Sequence, residues 1–297
     1  MLKVCKKTIA LIIVLLLFTS IAATAFADIK PGDQFVTFGS DLTKGQRTQL
    51  MDEFGIRDTR NIHIVEVTNQ EEYKYLGHIL PKSVIGTKAI SSSLITFQEK
   101  GKGLNIKTNN ITWVTNSMYK NALITAGITD ASITVSAPYP VSGTAALTGI
   151  MKAFEVATGK PISDNVKKIA NEEMVQTGQI GDKIGDKEKA VELMKRLKEQ
   201  LSKQSSKLSD EQLRNLIENT AKDLGITLTP DEINSLVSLL RKLQNANIDW
   251  DKVRKGLDNF NTTFKNFVNN NPESKSLLWD IFTFFKSIID KILNMLK

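Results

Sequence analysis

The chain has 297 residues, with 39 basic and 32 acidic side chains and a formal net charge of +7 at pH 7. Residues 1–27 hold three of the lysines and no acid, so the remainder carries 36 basic against 32 acidic residues, or +4. This mild charge gives no basis for a nucleic-acid partner. Because the single cysteine, Cys5, lies within the first 27 residues, the remainder also excludes disulfides and thiolate metal sites.

Residues 1–27 predict a secretory signal peptide. Three lysines precede an apolar run from Ile9 to Phe18, and Ala25-Phe26-Ala27 has the small-x-small pattern of a cleavage site. The apolar run is too short for a membrane-spanning helix. We therefore expect a secreted, extracellular protein that associates with the cell envelope, with its mature chain beginning near Asp28.

Residues 28–160 predict an α/β domain that contains a pseudo-duplicated strand–helix–strand unit. In each copy a threonine, Thr43 or Thr115, lies twelve residues before a glycine, Gly55 or Gly127. A Gly-Ile-x-Asp sequence then leads into alternating apolar residues. This pattern is typical of a threonine-capped helix that ends at glycine and is followed by a strand.

Two further elements are predicted in this half. The segments Ser93–Phe97 and Leu104–Thr108 are interpreted as a hairpin around Gly101-Lys102-Gly103. Ser142 is interpreted as the cap of a helix that runs to about Thr158.

Residues 161–272 predict an all-α array, so the expected fold class is α+β. Gly159-Lys160-Pro161 marks the change, and two capping boxes begin at Ser209 and Thr229. Three glycines are interpreted as a loop or hinge: Gly178, Gly181 and Gly185. Six apolar residues at helical spacing predict one seam: Trp250, Val253, Leu257, Phe260, Phe264 and Phe267.

Residues 273–297 predict an amphipathic C-terminal helix. Its polar face has two lysines and two aspartates, which argues against a spanning helix. Packing on the preceding helices and docking on a membrane or partner both remain open. The proposed contact face comprises Trp279, Phe282, Phe284, Phe285, Ile288, Ile289 and Ile292.

Residue types that carry chemistry are sparse, and no cofactor or metal is expected. His63 is interpreted as a solvated strand residue, and His78 has no partner at ligand spacing. The aspartate pairs near 182–186 and 249–251 are interpreted as helix caps rather than calcium ligands. One polar cluster is retained as a candidate site: Ser91, Ser92, Ser93, Ser142 and Thr144.

Several ungapped motifs occur together and in order: Phe38-Gly-Ser-Asp41-Leu-Thr43, Tyr75-Leu-Gly77, Ile85-Gly86-Thr-Lys-Ala89, Asn109-Asn110-Ile111-Thr-Trp113 and Ser142-Gly143-Thr144-Ala145-Ala146. They resemble the DUF1002 family of secreted bacterial proteins, chiefly from Firmicutes. The resemblance implies an exported protein of unknown activity, and it supplies no catalytic residue.

Three functional hypotheses follow. The first is a non-catalytic, envelope-associated protein whose partner is an envelope protein or an anionic membrane or wall surface. The second is a secreted hydrolase or ligand-binding enzyme with a polar site in the α/β domain. A cleft that collects the hydroxyls of Ser91 and Ser142–Thr144 beside a buried carboxylate would favour this hypothesis. The third is a module that oligomerises through the Trp250–Phe267 seam.

Overall fold

The structure is a computed structural model that describes residues 29–60 and 62–270. The predicted signal peptide and the predicted C-terminal helix, with its contact face from Trp279 to Ile292, lie outside the described residues. Within the described ranges, every helix is too short or too polar to cross a membrane.

The first half is a five-stranded sheet with helices on both faces, which confirms the α+β class. The strands are β1 (Gln34–Gly39), β2 (Ile62–Val67), β3 (Ser92–Phe97), β4 (Leu104–Ile111) and β5 (Ala131–Val141). The helices of this half are α1 (Lys44–Glu53), α2 (Asn69–Leu76), α3 (Lys82–Ile85), α4 (Asn116–Thr125) and α5 (Thr144–Thr158). The strand order is β2-β1-β3-β5-β4, with β3 antiparallel to both neighbours and the outer pairs parallel.

The duplicated unit is present as β1-α1-β2 and β4-α4-β5. Thr43 and Thr115 cap the two helices through their side chains, and Gly55 and Gly127 have φ angles of 70° and 79°. Alternation along the strands separates two cores. Helix α1 packs on one face with Val36 and Phe38 of β1, whereas α4 and α5 cover the other face.

The predicted hairpin between β3 and β4 is wrong, because β5 lies between these strands. Ile133 of β5 pairs with Ile95 of β3 on one side and with Ile106 of β4 on the other. The chain leaves β4, passes through α4 and returns as β5, which lies between β4 and β3. This placement satisfies both hydrogen-bonding edges of β5, which is the longest strand and carries fully buried apolar residues.

Up to residue 270, the second half consists of five helices: α6 (Asp164–Ile184), α7 (Lys187–Ser202), α8 (Asp210–Asp223), α9 (Pro230–Asn245) and α10 (Trp250–Asn270). Both predicted capping boxes are confirmed at the starts of α8 and α9. Two of the four aspartates predicted as helix caps are confirmed: Asp186 and Asp249 accept bonds from backbone N–H groups at the starts of α7 and α10. The prediction is wrong for Asp182 and Asp251, which lie inside α6 and α10. Helices α6 to α9 share one apolar core.

The aromatic seam of α10 packs within the chain over its described part. Val253 and Leu257 are 1% exposed and join the core under α4 and β4, with Trp250 and Phe260 packed against it. The side chains of Phe264 and Phe267 lie outside the described part. The first four residues of the seam are therefore covered by the chain itself and do not support oligomerisation through this seam.

The predicted hinge at Gly178 and Gly181 is wrong, because α6 continues through both residues and ends at Gly185, which has a φ of 71°. A Cβ atom at Gly178 would lie 2.5 Å from the ring of Trp113, and one at Gly181 would lie 2.7 Å from the Cα atom of Lys187. These glycines allow close contact between α6 and its neighbours rather than bending.

Gly178→Ala is expected to lower the free energy of unfolding by up to about 2 kcal/mol. Overpacking against Trp113 costs about 1–3 kcal/mol, which outweighs a gain in helix propensity of about 1 kcal/mol. The matched control is Gly45→Ala in α1, where no atom lies within 4 Å of the added carbon. That variant is expected to be neutral or more stable in urea unfolding. Equal effects at the two positions would contradict the close-contact explanation.

Candidate functional site

A cleft of about 520 Å³ lies at the edge of the sheet where β4 and β5 end and β3 begins. The amino-terminal end of α5 follows β5 directly and forms part of the cleft wall. Ligands of open α/β sheets bind at such an edge, outside the carboxyl ends of the strands. The polar lining comprises Glu72, Thr87, Lys88, Ser91, Thr112, Ser142 and Thr144, and the aromatic lining comprises Trp113 and Tyr139.

The structure places the predicted polar cluster in two different environments. Ser91, Ser142 and Thr144 line the cleft. Ser92 and Ser93 are buried in the sheet instead: the Ser92 hydroxyl donates to the carbonyl of Ile90, and the Ser93 and Thr37 hydroxyls are 2.7 Å apart. Successive residues of a strand point to opposite faces, so Ser92 is directed away from the face of Ser91. Ser93 lies one residue further into the strand, where its hydroxyl pairs with Thr37 of β1.

Glu72 supplies a buried carboxyl group to the cleft wall. The capping box of α2 uses Thr68 and Glu71 and leaves the next residue, Glu72, on the buried side of the helix with Tyr75 and Leu76. Glu72 is 1% exposed, and its carboxylate accepts a hydrogen bond of 2.5 Å from the Thr144 hydroxyl. Burial raises the pKa of Glu72 to about 7, although hydrogen bonds from Thr144 and Asn69 favour the ionised form.

Glu72 is not among the site residues predicted from the sequence. One observation could have revealed it: the capping box already uses Glu71, and Glu72 falls three and four residues before Tyr75 and Leu76. Residues at these spacings share one helix face, so the acid belongs to the apolar face of α2. An acidic residue on a buried face usually has a specific partner.

The start of α5 depends on a glycine rather than on the predicted cap Ser142. Gly143 is the N-cap residue, has a φ of 94° and provides no side-chain cap, while the Ser142 hydroxyl lies 3.2 Å from the hydroxyl of Thr144. Tyr119 of α4 donates a hydrogen bond to the Gly143 carbonyl. A Cβ at Gly143 would lie 2.5 Å from both Ile111 and the Tyr119 hydroxyl, so the loop at the cleft wall requires glycine.

The aromatic wall of the cleft is held by the helical half. The indole Nε1 of Trp113 donates to Asp182 at 2.7 Å, and the Lys187 ammonium lies 5.2 Å from the centre of the Trp113 ring. Lys187 also donates to the Trp113 carbonyl. Tyr139, at the end of β5, is 42% exposed and forms the outer rim. The site therefore combines strand ends of the first half with ring contacts from α6 and α7.

The histidines lie away from the cleft. His63 is exposed on β2 and stacks on Phe35 with ring centroids 4.5 Å apart, as expected for a solvated strand residue. Among the described residues that line the cleft, Glu72 is the only acid, and no histidine is present. Across the described ranges, no three His, Cys, Asp or Glu side chains are grouped as a metal site would require.

Comparison with known proteins places these features in a family. The model of the family described as "Protein of unknown function (DUF1002)" matches residues 38–260. The chain belongs to the DUF1002 family. It is also similar to the uncharacterised protein YpuA of Bacillus subtilis strain 168, with 40% identity over 292 residues, covering 98% of this chain and 99% of that protein. No solved structure matches the chain.

The region matched by the DUF1002 model contains the whole cleft. The cleft residues run from Glu72 to Ala145, well inside residues 38–260. The helices that support its aromatic wall, α6 and α7, also lie within the matched region. The cleft and its supports therefore belong to the part of the chain that defines its membership of DUF1002.

Proposed function

We propose that this protein is an exported, non-catalytic binding protein that holds a small polar molecule in the cleft around Glu72. The observation that carries the proposal is the cleft itself, which brings Ser91, Ser142 and Thr144 together with one buried carboxyl group. Its volume of about 520 Å³ is in the range of small-molecule sites. This arrangement favours the ligand-binding part of the second sequence hypothesis.

The chemistry of the lining favours binding over hydrolysis. A two-carboxylate glycoside hydrolysis needs a second acid, and a serine triad needs a histidine next to the nucleophile. Glu72 is the only acid among the described lining residues, and both histidines lie elsewhere. A single carboxyl group surrounded by hydroxyls can bind and orient a polar ligand through hydrogen bonds.

A binding experiment on the mature chain from Asp28 tests the proposal. The probes are glucose, glycine and inorganic phosphate, each titrated separately into isotope-labelled protein and followed in amide NMR spectra. We expect at least one probe to shift the amides of Ser91, Ser142 and Thr144 in a saturable manner. Thr144→Val should abolish this shift, because it removes a hydroxyl that lines the cleft and bonds to Glu72.

The control for this experiment is Thr48→Val, which removes an exposed threonine hydroxyl on α1, outside the cleft. It should leave the titration unchanged. If both variants have the same effect on the titration, or if no small polar compound that is titrated shifts the cleft amides, the proposed binding function is refuted.

Export and envelope association are the second part of the proposal. They are supported by the signal-peptide pattern of residues 1–27 and by the amphipathic pattern of residues 273–297. We expect the full-length mature chain to remain with the cell envelope and a chain that ends before Glu273 to be released in folded form. Retention of the folded, shortened chain in the cytoplasm or on the membrane would contradict this part.

A further inference from the structure

Neutral hydroxyl groups make up most of the polar side chains in the cleft lining. Six side chains carry one: Thr87, Ser91, Thr112, Tyr139, Ser142 and Thr144. A hydroxyl both donates and accepts hydrogen bonds, so a lining of this kind matches a ligand whose own groups donate and accept. A ligand with several hydroxyl groups meets this condition, whereas a ligand with a single charged group leaves most of the lining unused.

Aromatic rings form the remaining contact surface. Tyr139 exposes its ring at the rim, and Trp113 is held in place by its bond to Asp182 and its contact with Gly178. Aromatic side chains offer a flat apolar surface beside a polar edge. The C–H face of a sugar ring is flat and apolar in the same way, with hydroxyl groups around its edge. The two rings and the hydroxyls together therefore suit a cyclic polyol.

The charge distribution disfavours an anionic ligand. The amino-terminal end of α5 already has an acidic partner, since Glu72 contacts Thr144 in the first turn. A second anion in this position would lie next to the Glu72 carboxylate. The same burial that raises the pKa of Glu72 would also penalise a charge on the ligand. Lys88 is exposed and is the only cation among the described lining residues.

We infer that the occupant of the cleft is a neutral, polyhydroxylated ring compound of the sugar class. It is bound between the rings of Tyr139 and Trp113 and the hydroxyls that lie just before β3 and at the start of α5. The inference rests on the proposed binding function and names its ligand class. Its specificity arises from hydrogen bonds to hydroxyls and from ring contacts rather than from charge.

A series of related sugars, some neutral and some charged, tests the inference. Glucose, galactose and N-acetylglucosamine represent the neutral ring, while glucuronate, glucose 6-phosphate and glucosamine carry a charge. Each is titrated into the mature chain with the amides of Ser91, Ser142 and Thr144 as readout. We expect at least one neutral sugar to bind with a Kd about tenfold or more below those of the charged compounds.

Two variants at the rim separate ring contact from hydrogen bonding. Tyr139→Ala should weaken binding of the neutral sugar about fivefold or more, since it removes the exposed ring. Tyr139→Phe keeps the ring and should remain within about twofold of the original chain. Thermal unfolding of both variants shows whether the α/β domain remains folded, and this is expected because Tyr139 is 42% exposed.

The outcomes distinguish the two proposals. Tighter binding of glucuronate, glucose 6-phosphate, glucosamine, glycine or phosphate at the cleft would overturn the ligand class and leave the binding function intact. Equal loss of affinity in Tyr139→Ala and Tyr139→Phe would overturn the role of the ring. If no compound shifts the cleft amides, the binding function and the ligand class both fail.

Discussion

Lys198→Met is expected to lower the free energy of unfolding by about 3–5 kcal/mol, the typical loss when one partner of a buried ion pair is removed. Lys198 of α7 and Glu173 of α6 are 0% and 1% exposed in their side chains and lie 2.8 Å apart. Lys198 also donates to the Asn121 carbonyl and the Thr125 hydroxyl of α4. The substitution leaves the Glu173 carboxylate buried with the Thr125 hydroxyl as its described hydrogen-bond partner.

A double variant distinguishes the cost of an unpaired charge from the contribution of the pair. Lys198→Met combined with Glu173→Leu removes both charges and is expected to recover most of the loss, because apolar residues of similar volume replace a buried pair at little cost. The matched control is Lys183→Met. Lys183 also joins two helices by pairing with Glu232 at 2.6 Å, but it is 41% exposed. Its loss is expected to cost less than about 1 kcal/mol.

Urea unfolding of the four proteins provides the measurement. If Lys198→Met costs no more than Lys183→Met, the buried pair does not stabilise the contact of α4 with α6 and α7. If the double variant is as unstable as Lys198→Met alone, the loss comes from packing rather than from the unpaired carboxylate.

The second large effect is a dependence of stability on pH that arises from Glu72. Its pKa is about 7 in the folded chain against an ordinary value of 4.5, so the folded state binds more protons between these two pH values. Stability therefore falls as pH rises from 4.5 to 7 and changes little from this group above that range. A difference of about 2.5 pKa units corresponds to about 3 kcal/mol.

Glu72→Gln is expected to remove this contribution, since the amide does not ionise. Relative to the original chain, the variant should gain stability on going from about pH 4 to about pH 8, with a total near 3 kcal/mol. The experiment is urea unfolding at both pH values. Subtracting the free energy of unfolding of the original chain from that of the variant at each pH cancels the contributions of the other titrating groups.

The neighbouring acid provides a control of opposite sign. Although burial disfavours its charged form, hydrogen bonds from Lys152 and Thr68 lower the pKa of Glu71. Its contribution to stability is present above pH 4.5 and is lost as pH falls through the lower folded pKa. Glu71→Gln keeps the capping box. Relative to the original chain it should lose stability as pH rises from about 3 to about 5, and it should change little between about pH 5 and about pH 8, where Glu72 titrates. A pH profile of Glu72→Gln that parallels the original chain would contradict the assignment.

The elements of the fold that depend on neighbouring residues were predictable. Thr43, Thr115, Ser209 and Thr229 cap helices where the sequence places them, because a cap bonds to a backbone N–H three residues away. The duplicated unit followed from the same local pattern in two places. These interactions form within one turn of chain, so the residues that make them are adjacent in the sequence.

The candidate site was predictable only in part. Ser91, Ser142 and Thr144 were selected as polar residues next to strand ends and a helix start, and they share the cleft. Glu72 lies about 70 residues before Thr144, and nothing local shows that these two side chains meet. Ser92 and Ser93 were included in the cluster, but both are buried in the sheet, where their hydroxyls bond to the Ile90 carbonyl and to Thr37.

By itself the sequence determined the helices and their caps, the strand–helix–strand duplication, the α+β class and the chain's membership of its family. The tertiary structure decided the order of the strands in the sheet and the surroundings in which Glu72 is buried. It also decided that Gly178 lies inside a helix and makes room for the ring of Trp113. Local structure depends on contacts between residues a few positions apart. Strand order, close packing and the raised pKa of Glu72 depend on which distant surfaces exclude water from one another.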